Sequence, residues 1–284
     1  MGMLENRLDK DLIQDASLYV MLLRLSRTAV DVVIYSPLVD NSLIYRSFPT
    51  SGSDSEVRAL ENVVYDNPLM LADFRSRIIL TDSPRWSLCP SECLDDDSRC
   101  ADAMMRLQWP DMDGESHSAS TSFHGVEIVY SVDSRLAGFV KRTFPGTIIE
   151  PHILPLLRYC SSRMGRANSK RMLVNLRPTE ADILVADGSS LRQGVTVNFN
   201  TTSDLLYHIL TSAQAAGLDQ RADELLLCGS RQLREELTPM LRTYHARVMP
   251  VIFPPEMFRA GREAMNAPFD LIITPLTHSA TRQS

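Results

Sequence analysis

Cys89, Cys93 and Cys100, followed by His117 and His124, form the densest run of metal-ligand residue types in this 284-residue chain. Thiolates and imidazoles at compact spacing hold zinc tetrahedrally. The spacings here, C-x3-C-x6-C and H-x6-H, match no compact zinc module, so no metal site is expected and the cysteines read as free thiols. His152, beside Pro151, and His208 are each placed to carry a proton in general acid–base chemistry. A lone histidine on an apolar helix is more often structural. Asp95-Asp96-Asp97 has the charge for a hydrated cation, but it reads as a solvated acidic loop. Ser47 to Ser55 (SFPTSGSDS) has the flexibility of a phosphate loop without G-x-x-x-x-G-K-[ST]. No G-x-S-x-G elbow supports a serine nucleophile.

The totals narrow the classes further. With 35 acidic and 29 basic residues the formal net charge is -6, a poor balance for binding nucleic acid by phosphate neutralisation. One local basic run, Arg158 to Arg171 with Arg163, Arg166 and Lys170, reads as a solvated linker. No apolar stretch reaches the ~18 residues that span a bilayer. Met1 to Asp15 carries Glu5, Arg7, Asp9, Lys10 and Asp11 and lacks the apolar middle of a secretory signal. A cytoplasmic protein is expected. Five cysteines, an odd number, fit that reducing compartment.

The elements that must position any site follow from periodicity. Tyr19–Ser26, Val30–Tyr35 and Asn41–Phe48 read as three short strands. Glu56–Asp66 follows helical spacing, with Ser53 or Asp54 as its cap, and Arg77–Asp82 is a closing strand. The second half repeats this order. Arg171–Arg177, Ala181–Ala186 and Leu191–Phe199 are strands, with Asp187-Gly188 as a hairpin turn. A helix follows from Leu205 to Ala216, stopped at Gly217, and Glu224–Cys228 closes the unit. Val20 against Leu173, Val33 against Leu184, Glu56 against Asp204 and Ile78 against Leu225 differ by 153, 151, 148 and 147 positions. A shift this constant is the signature of an internal duplication.

Between the halves, Ser91–His124 reads as a polar, partly mobile surface excursion. Glu127–Val132 is a strand, Asp133-Ser134 caps a helix, and Thr147–Glu150 is a short strand. Pro151 opens a helix that Pro155 kinks or splits. At the end, helices over Gln232–Tyr244 and Phe258–Met265, strands over Val248–Phe253 and Phe269–Thr274, and a frayed tail from Thr277 are expected. The domains are a lead over 1–17, a first lobe over 18–150 with the excursion at 91–124, a second lobe over 151–276 and a tail over 277–284.

Two such units facing each other describe the duplicated actin-like ATPase (ribonuclease H-like) fold, an α/β class with two βββαβ-containing lobes flanking a cleft. ALENVVYDNPLMLADFRSRIILTD within Glu56–Asp82, WSLCP at Trp86–Pro90 and KRTFP at Lys141–Pro145 resemble a Bacteroidetes family of unknown function. So do HILPLLR at His152–Arg158 and DELLLCGS at Asp223–Ser230, and the resemblance runs from Leu18 to Phe253. It implies a fold near the pilus-assembly protein PilM and the cell-division protein FtsA.

That fold also implies where to look for a nucleotide. Its phosphates sit on one β-hairpin in each half, held by backbone N–H groups at glycines and by a carboxylate on hydrated Mg²⁺. The corresponding turns are Ser26-Arg27-Thr28-Ala29 and Leu176-Arg177-Pro178-Thr179-Glu180, neither with a glycine. Arg27 and Arg177 are candidate phosphate contacts, or simply exposed arginines at hairpin tips. The adenosine turn corresponds to Cys228-Gly229-Ser230, where Gly229 and Ser230 are the candidate contacts. ATP hydrolysis is not expected, and no cofactor is expected. The leading reading is a non-catalytic interaction or scaffold module with an unknown protein partner and a degenerate nucleotide site. The alternative is an ATP- and Mg²⁺-binding switch or atypical ATPase using carboxylates among Asp11, Asp31, Asp182 and Asp187.

Overall fold

Strand β1 (Val20–Leu25) is apolar except for Arg24 and is buried along its whole length. It runs antiparallel to β2 (Ala29–Tyr35), which runs antiparallel to β3 (Ile44–Pro49). Helix α1 (Glu56–Asp66) follows, then β4 (Ser76–Thr81), which lies parallel to β1 on its free side. These elements belong to a computed structural model that describes residues 7–50, 55–94, 98–164 and 169–281. Ser55 caps α1 by accepting from the Arg58 N–H, and the expected caps Ser53 and Asp54 lie outside the described residues.

The segment expected to be a polar, partly mobile surface excursion carries regular secondary structure among its described residues. β5 (Trp86–Pro90), α2 (Ser98–Gln108), β6 (Glu115–Ser120) and β7 (Val126–Val132) build a second small sheet in the order β5-β7-β6, with α2 packed on it. Polar composition hid it because β6 (ESHSAS) is an edge strand with little burial. Met105, Met112 and Val129 nevertheless form a small core beneath α2.

The chain then returns to the first sheet through α3 (Ser134–Thr143), capped by Asp133, and β8 (Ile148–Pro151), parallel to β4. Pro151 therefore ends a strand. α4 (Ile153–Tyr159) begins after it, and Pro155 sits in its first turn, where a missing N–H leaves no bond broken. That position explains why Pro155 produces no break.

β9 (Lys170–Leu176), β10 (Glu180–Asp187), β11 (Ser190–Asn198), α5 (Thr202–Ala215) and β12 (Glu224–Gly229) repeat the first unit. α6 (Arg231–Leu241) and β13 (Val248–Pro250) follow, then α7 (Pro255–Ala260) and α8 (Phe269–Thr281). The two large sheets run β3-β2-β1-β4-β8 and β11-β10-β9-β12-β13, the same order strand for strand. The duplication inferred from a constant offset is thus a duplication of topology.

Phe269–Thr274, expected as a strand, is the first half of α8, and Thr277 to Thr281 continues the helix where a frayed tail was expected. A short apolar run buried on several sides has no periodicity to separate strand from helix. Leu271 and Ile272 pack on Val20, Leu22, Val33 and Ile78 of the first sheet, while Phe269 stacks edge-on against Tyr159 of α4 at 5.3 Å. The expected Phe258–Met265 helix is split into α7 and a 3-10 turn over Arg262–Asn266.

The other face of the first sheet packs on Leu60 and Val64 of α1 and on Leu136 and Val140 of α3. That cluster continues without a gap through Trp86, Leu154 and Leu157 to Leu173, Leu184 and Cys228 of the second sheet. The small sheet joins the seam directly. A Cβ on Gly194 of β11 would stand 3.0 Å from Leu88 and 3.9 Å from Trp86, so only glycine admits this approach without displacement. The second sheet's remaining face has its own core on α5 and α6, with Leu205, Ile209 and Leu237.

Candidate functional site

Four strands carry a charge or amide inside an otherwise apolar run, and such a group requires a partner in the interior. Arg24 of β1 lies opposite Asp31 of β2, and Asn175 of β9 lies opposite Asp182 of β10. Asp31 and Asp182 are the same position in the two repeats. Each also faces a hydroxyl on the third strand, Ser47 for Asp31 and Thr196 for Asp182.

The two carboxylates have diverged. Asp31 accepts from the Tyr45 hydroxyl at 2.8 Å, and burial pushes it up from the usual carboxylate range. Asp182 is fully buried and receives four donors. Thr196 Oγ1 donates at 2.7 Å, Asn175 Nδ2 at 3.0 Å, and Arg177 Nη2 at 3.0 Å, with His152 Nε2 at 3.0 Å. Burial alone would raise Asp182, but His152 and then Arg177 outweigh it and hold it far below the usual carboxylate range.

Asp82, just past the end of β4, completes the constellation from the first lobe. Its Oδ1 accepts from Arg24 Nη2 at 3.3 Å and from Arg177 Nη1, and lies 3.3 Å from His152 Nδ1. Arg24 also donates from Nε to Asp270 of α8 at 2.8 Å. Arg177 bonds Glu180 across its own hairpin at 2.6 Å. Burial opposes the Asp82 charge, yet Arg24, His152 and Arg177 together hold its carboxyl below the ordinary value. His152 is the hub. Its ring is 1 % exposed and bridges Asp82 to Asp182, and those carboxylates overcome burial to raise its pKa.

This network closes the space between the two hairpin tips. A small cleft of about 40 Å³ remains beside it, lined by Ser26, Arg27, Thr28, Pro178 and Thr179 together with Arg24, Asp82, Arg177 and Glu180 of the network. Arg27 is exposed at the mouth. Arg177 is not the exposed tip residue that its turn position suggested. It is 7 % exposed because its guanidinium folds inward to the three carboxylates. Glu56, the first residue of α1, borders the same region. Its pKa is pushed up to about 7, by burial first and then by Asp82 and Asp133.

The remaining candidates fall elsewhere. Gly229 adopts φ 83° with its Cα packed on Leu176, and Ser230 caps α6 by accepting from the Leu233 N–H at 3.4 Å. Asp187 pairs with Arg192 at 2.9 Å near the far end of β10, and Asp11 lies on an exposed turn. His208 is half-buried beside Tyr207. His117 rests 5.6 Å from the Tyr130 ring. Among the described residues no group of three His, Cys, Asp or Glu is placed to hold a metal ion. Asp95-Asp96-Asp97 lie outside those residues. The basic run is dispersed, since Arg158 is buried on Glu150 at 3.3 Å and Arg171 pairs with Glu224 at 2.7 Å. Arg166 and the Arg163 side chain lie outside the described residues. Arg24, Asp82, Glu56 and Asp270 were missed. For Arg24 the signal was available, a charge within VMLLRL.

The His152 charge makes a pH prediction. A raised folded-state pKa contributes stability that is complete below the unfolded value of about 6.5 and is lost as pH climbs through the folded value. Asp82 and Asp182 behave oppositely, contributing above about 3.9 and losing that contribution as pH falls through their lowered values. Resistance to urea should therefore fall as pH rises above about 6.5, and His152→Gln should flatten that slope.

Two like-ordered sheets with a charged cleft at facing hairpins define the actin-like ATPase fold. The comparison with solved structures agrees. A Bacteroides thetaiotaomicron protein with actin-like ATPase fold and unknown function superposes with a TM-score of 0.75 at 21% identity, covering 90% of this chain and 96% of that one. A chain of the PilM-PilN type IV pilus biogenesis complex superposes at 0.54 and 12% identity, covering 90% of this chain and 98% of that one. No curated protein matches the sequence. Residues 9–248 match the family described as protein of unknown function DUF3822, and the chain belongs to that family. Among the described residues no helix is long and apolar enough to cross a membrane.

Proposed function

We propose that this chain is a cytoplasmic, non-catalytic member of the actin-like fold that works by binding a protein partner, with its nucleotide cleft held shut by its own charges. One observation carries the reading. Arg177, from the second hairpin, spans to Asp82 of the first lobe, where the fold's phosphates would lie between the tips. Its charge, and those of Arg24 and His152, are already matched by Asp82, Asp182, Asp270 and Glu180. An incoming phosphate would have to displace those carboxylates. Pro178 offers no N–H at the second tip, and neither turn has a glycine to bring backbone donors close. The continuous apolar seam from Leu154 to Leu184 also favours a rigid body over a nucleotide-driven clamp. The PilM likeness comes from a protein solved with a partner, which fits the same reading.

A second reading, a nucleotide-binding switch, draws on the hydroxyls of Ser26, Thr28 and Thr179 beside the exposed Arg27 at the cleft mouth. Thermal unfolding separates the two. A ligand at about 100 times its Kd adds about 2.7 kcal/mol, which corresponds to a rise in Tm of several degrees. We expect no rise with millimolar ATP or GTP and Mg²⁺. A rise that is abolished in Arg27→Ala would establish the second reading. Tagged protein recovering one stoichiometric partner from native lysate is the matching expectation of the first.

A further inference from the structure

An open strand edge recruits further strands, and proteins close such edges with proline and with side chains laid on the free backbone groups. Three of the four outer edges of the large sheets are closed in this way. In β3 the outward groups include those of Tyr45 and Pro49. Pro49 has no N–H, and the Tyr45 N–H donates to Glu263 Oε2 at 2.8 Å. In β8 Pro151 again lacks an N–H, and the Ile149 carbonyl accepts from the Tyr130 hydroxyl at 3.3 Å. In β13 Pro250 repeats the device, and the Val248 carbonyl accepts from Arg242 Nη2 at 3.2 Å. β11 is the exception. The Phe199 N–H donates to the Thr179 carbonyl at 3.1 Å, and the register carried back from that bond turns the backbone groups of Gly194, Thr196 and Asn198 away from β10. None of the three is proline, and among the described residues nothing bonds their outward N–H and C=O groups. Arg192 sits in a bulge opposite Val185 and Ala186, so the straight edge is Gln193 to Asn198.

We propose that β11 is a dimer edge, occupied by β11 of a second copy of this chain running antiparallel about a two-fold axis at Thr196. Thr196 then exchanges N–H···O bonds with its own counterpart, and Gly194 does so with Asn198 of the other copy, so all three open residues are satisfied in both chains. The same register sets each Val195 opposite the other copy's Val197. These valines are only partly buried against the core on α5, and cross-strand pairs of β-branched residues cover their free sides. No like charges meet, because Arg192 is the one charged residue of β11 and lies outside the straight edge. A second copy fits better than a partner's lone strand because it leaves no fresh edge behind. The two five-stranded sheets become one of ten, ended on each side by a β13 that Pro250 closes.

Light scattering behind size exclusion, on the intact chain over a dilution series, should give twice the chain mass at the higher concentrations. Hydrogen exchange should find the Gly194, Thr196 and Asn198 amides slow at high concentration and fast on dilution. Asn198→Pro, at an exposed position, removes one outward N–H from each copy and two bonds from each dimer. It should raise the dimer dissociation constant at least about tenfold while the diluted chain keeps its thermal transition. A chain that stays monomeric at the highest concentration reached, a dimer unchanged by Asn198→Pro, or a dimer whose three amides exchange fast would overturn the proposal. None of those outcomes bears on the closed cleft, which the nucleotide melting experiment tests separately.

Discussion

Replacing Asp182 with alanine should lower the unfolding free energy by about 3–5 kcal/mol, the loss found when one member of a buried charged network is removed. Asp182 has no exposed surface, so no water replaces it without rearrangement. The substitution strands the Arg177 guanidinium and the His152 ring against Asp82 and Glu180 alone. It also leaves Asn175 and Thr196 without their acceptor. Urea denaturation at neutral pH measures the loss directly. Asp182→Asn, which keeps an acceptor but not the charge, should fall between alanine and the native chain. Asp187→Ala is the control, because its pairing with Arg192 is at the surface and such pairs contribute about 0–1 kcal/mol. A loss below about 1 kcal/mol for Asp182→Ala would mean that the lobes part easily and the clasp is not what holds them.

Gly229→Val should be comparably severe, at about 3 kcal/mol or more, by a different mechanism. A Cβ there would stand 2.2 Å from the Leu176 carbonyl oxygen and 2.8 Å from its nitrogen, both backbone atoms. Neither can yield without breaking the parallel pairing of Gly229 with Leu176. The φ of 83° adds the left-handed penalty that a β-branched residue pays most heavily. Loss of soluble protein or a large drop in midpoint denaturant concentration is the expected result. The variant is consequently useless as a probe of nucleotide binding, because it reports on folding first. Arg27→Ala, at an exposed tip, is the informative substitution there.

Gly229 illustrates what could be read early. Its strand–glycine–helix setting is legible from Cys228-Gly229-Ser230 after an apolar run, and it points to ligand contact. The structure adds the Leu176 backbone, which makes conformation sufficient. Arg177 went the other way. A turn position next to proline suggested exposure, but nothing in the neighbouring residues indicates that Asp82, 95 positions earlier, waits across the cleft. The small sheet was missed for a third reason. Its strand β6 gains its order from pairing with β7, and a polar edge strand has too few buried residues to show an alternating pattern.

By itself the sequence determined the duplicated strand order and its constant offset, because buried strands and amphipathic helices write their burial into local residue spacing. It also offered Asp31 and Asp182 as candidate carboxylates without placing them, while Arg24, a charge within VMLLRL, went unread. Only the tertiary structure decided who those partners are. Arg24 meets Asp270 across 246 positions, and His152 joins Asp82 to Asp182 between the lobes. The physical reason is that periodicity records which face of an element is buried and says nothing about which distant element covers it. The equivalent carboxylates Asp31 and Asp182 therefore look alike in the chain, yet burial raises the one while His152 and Arg177 depress the other.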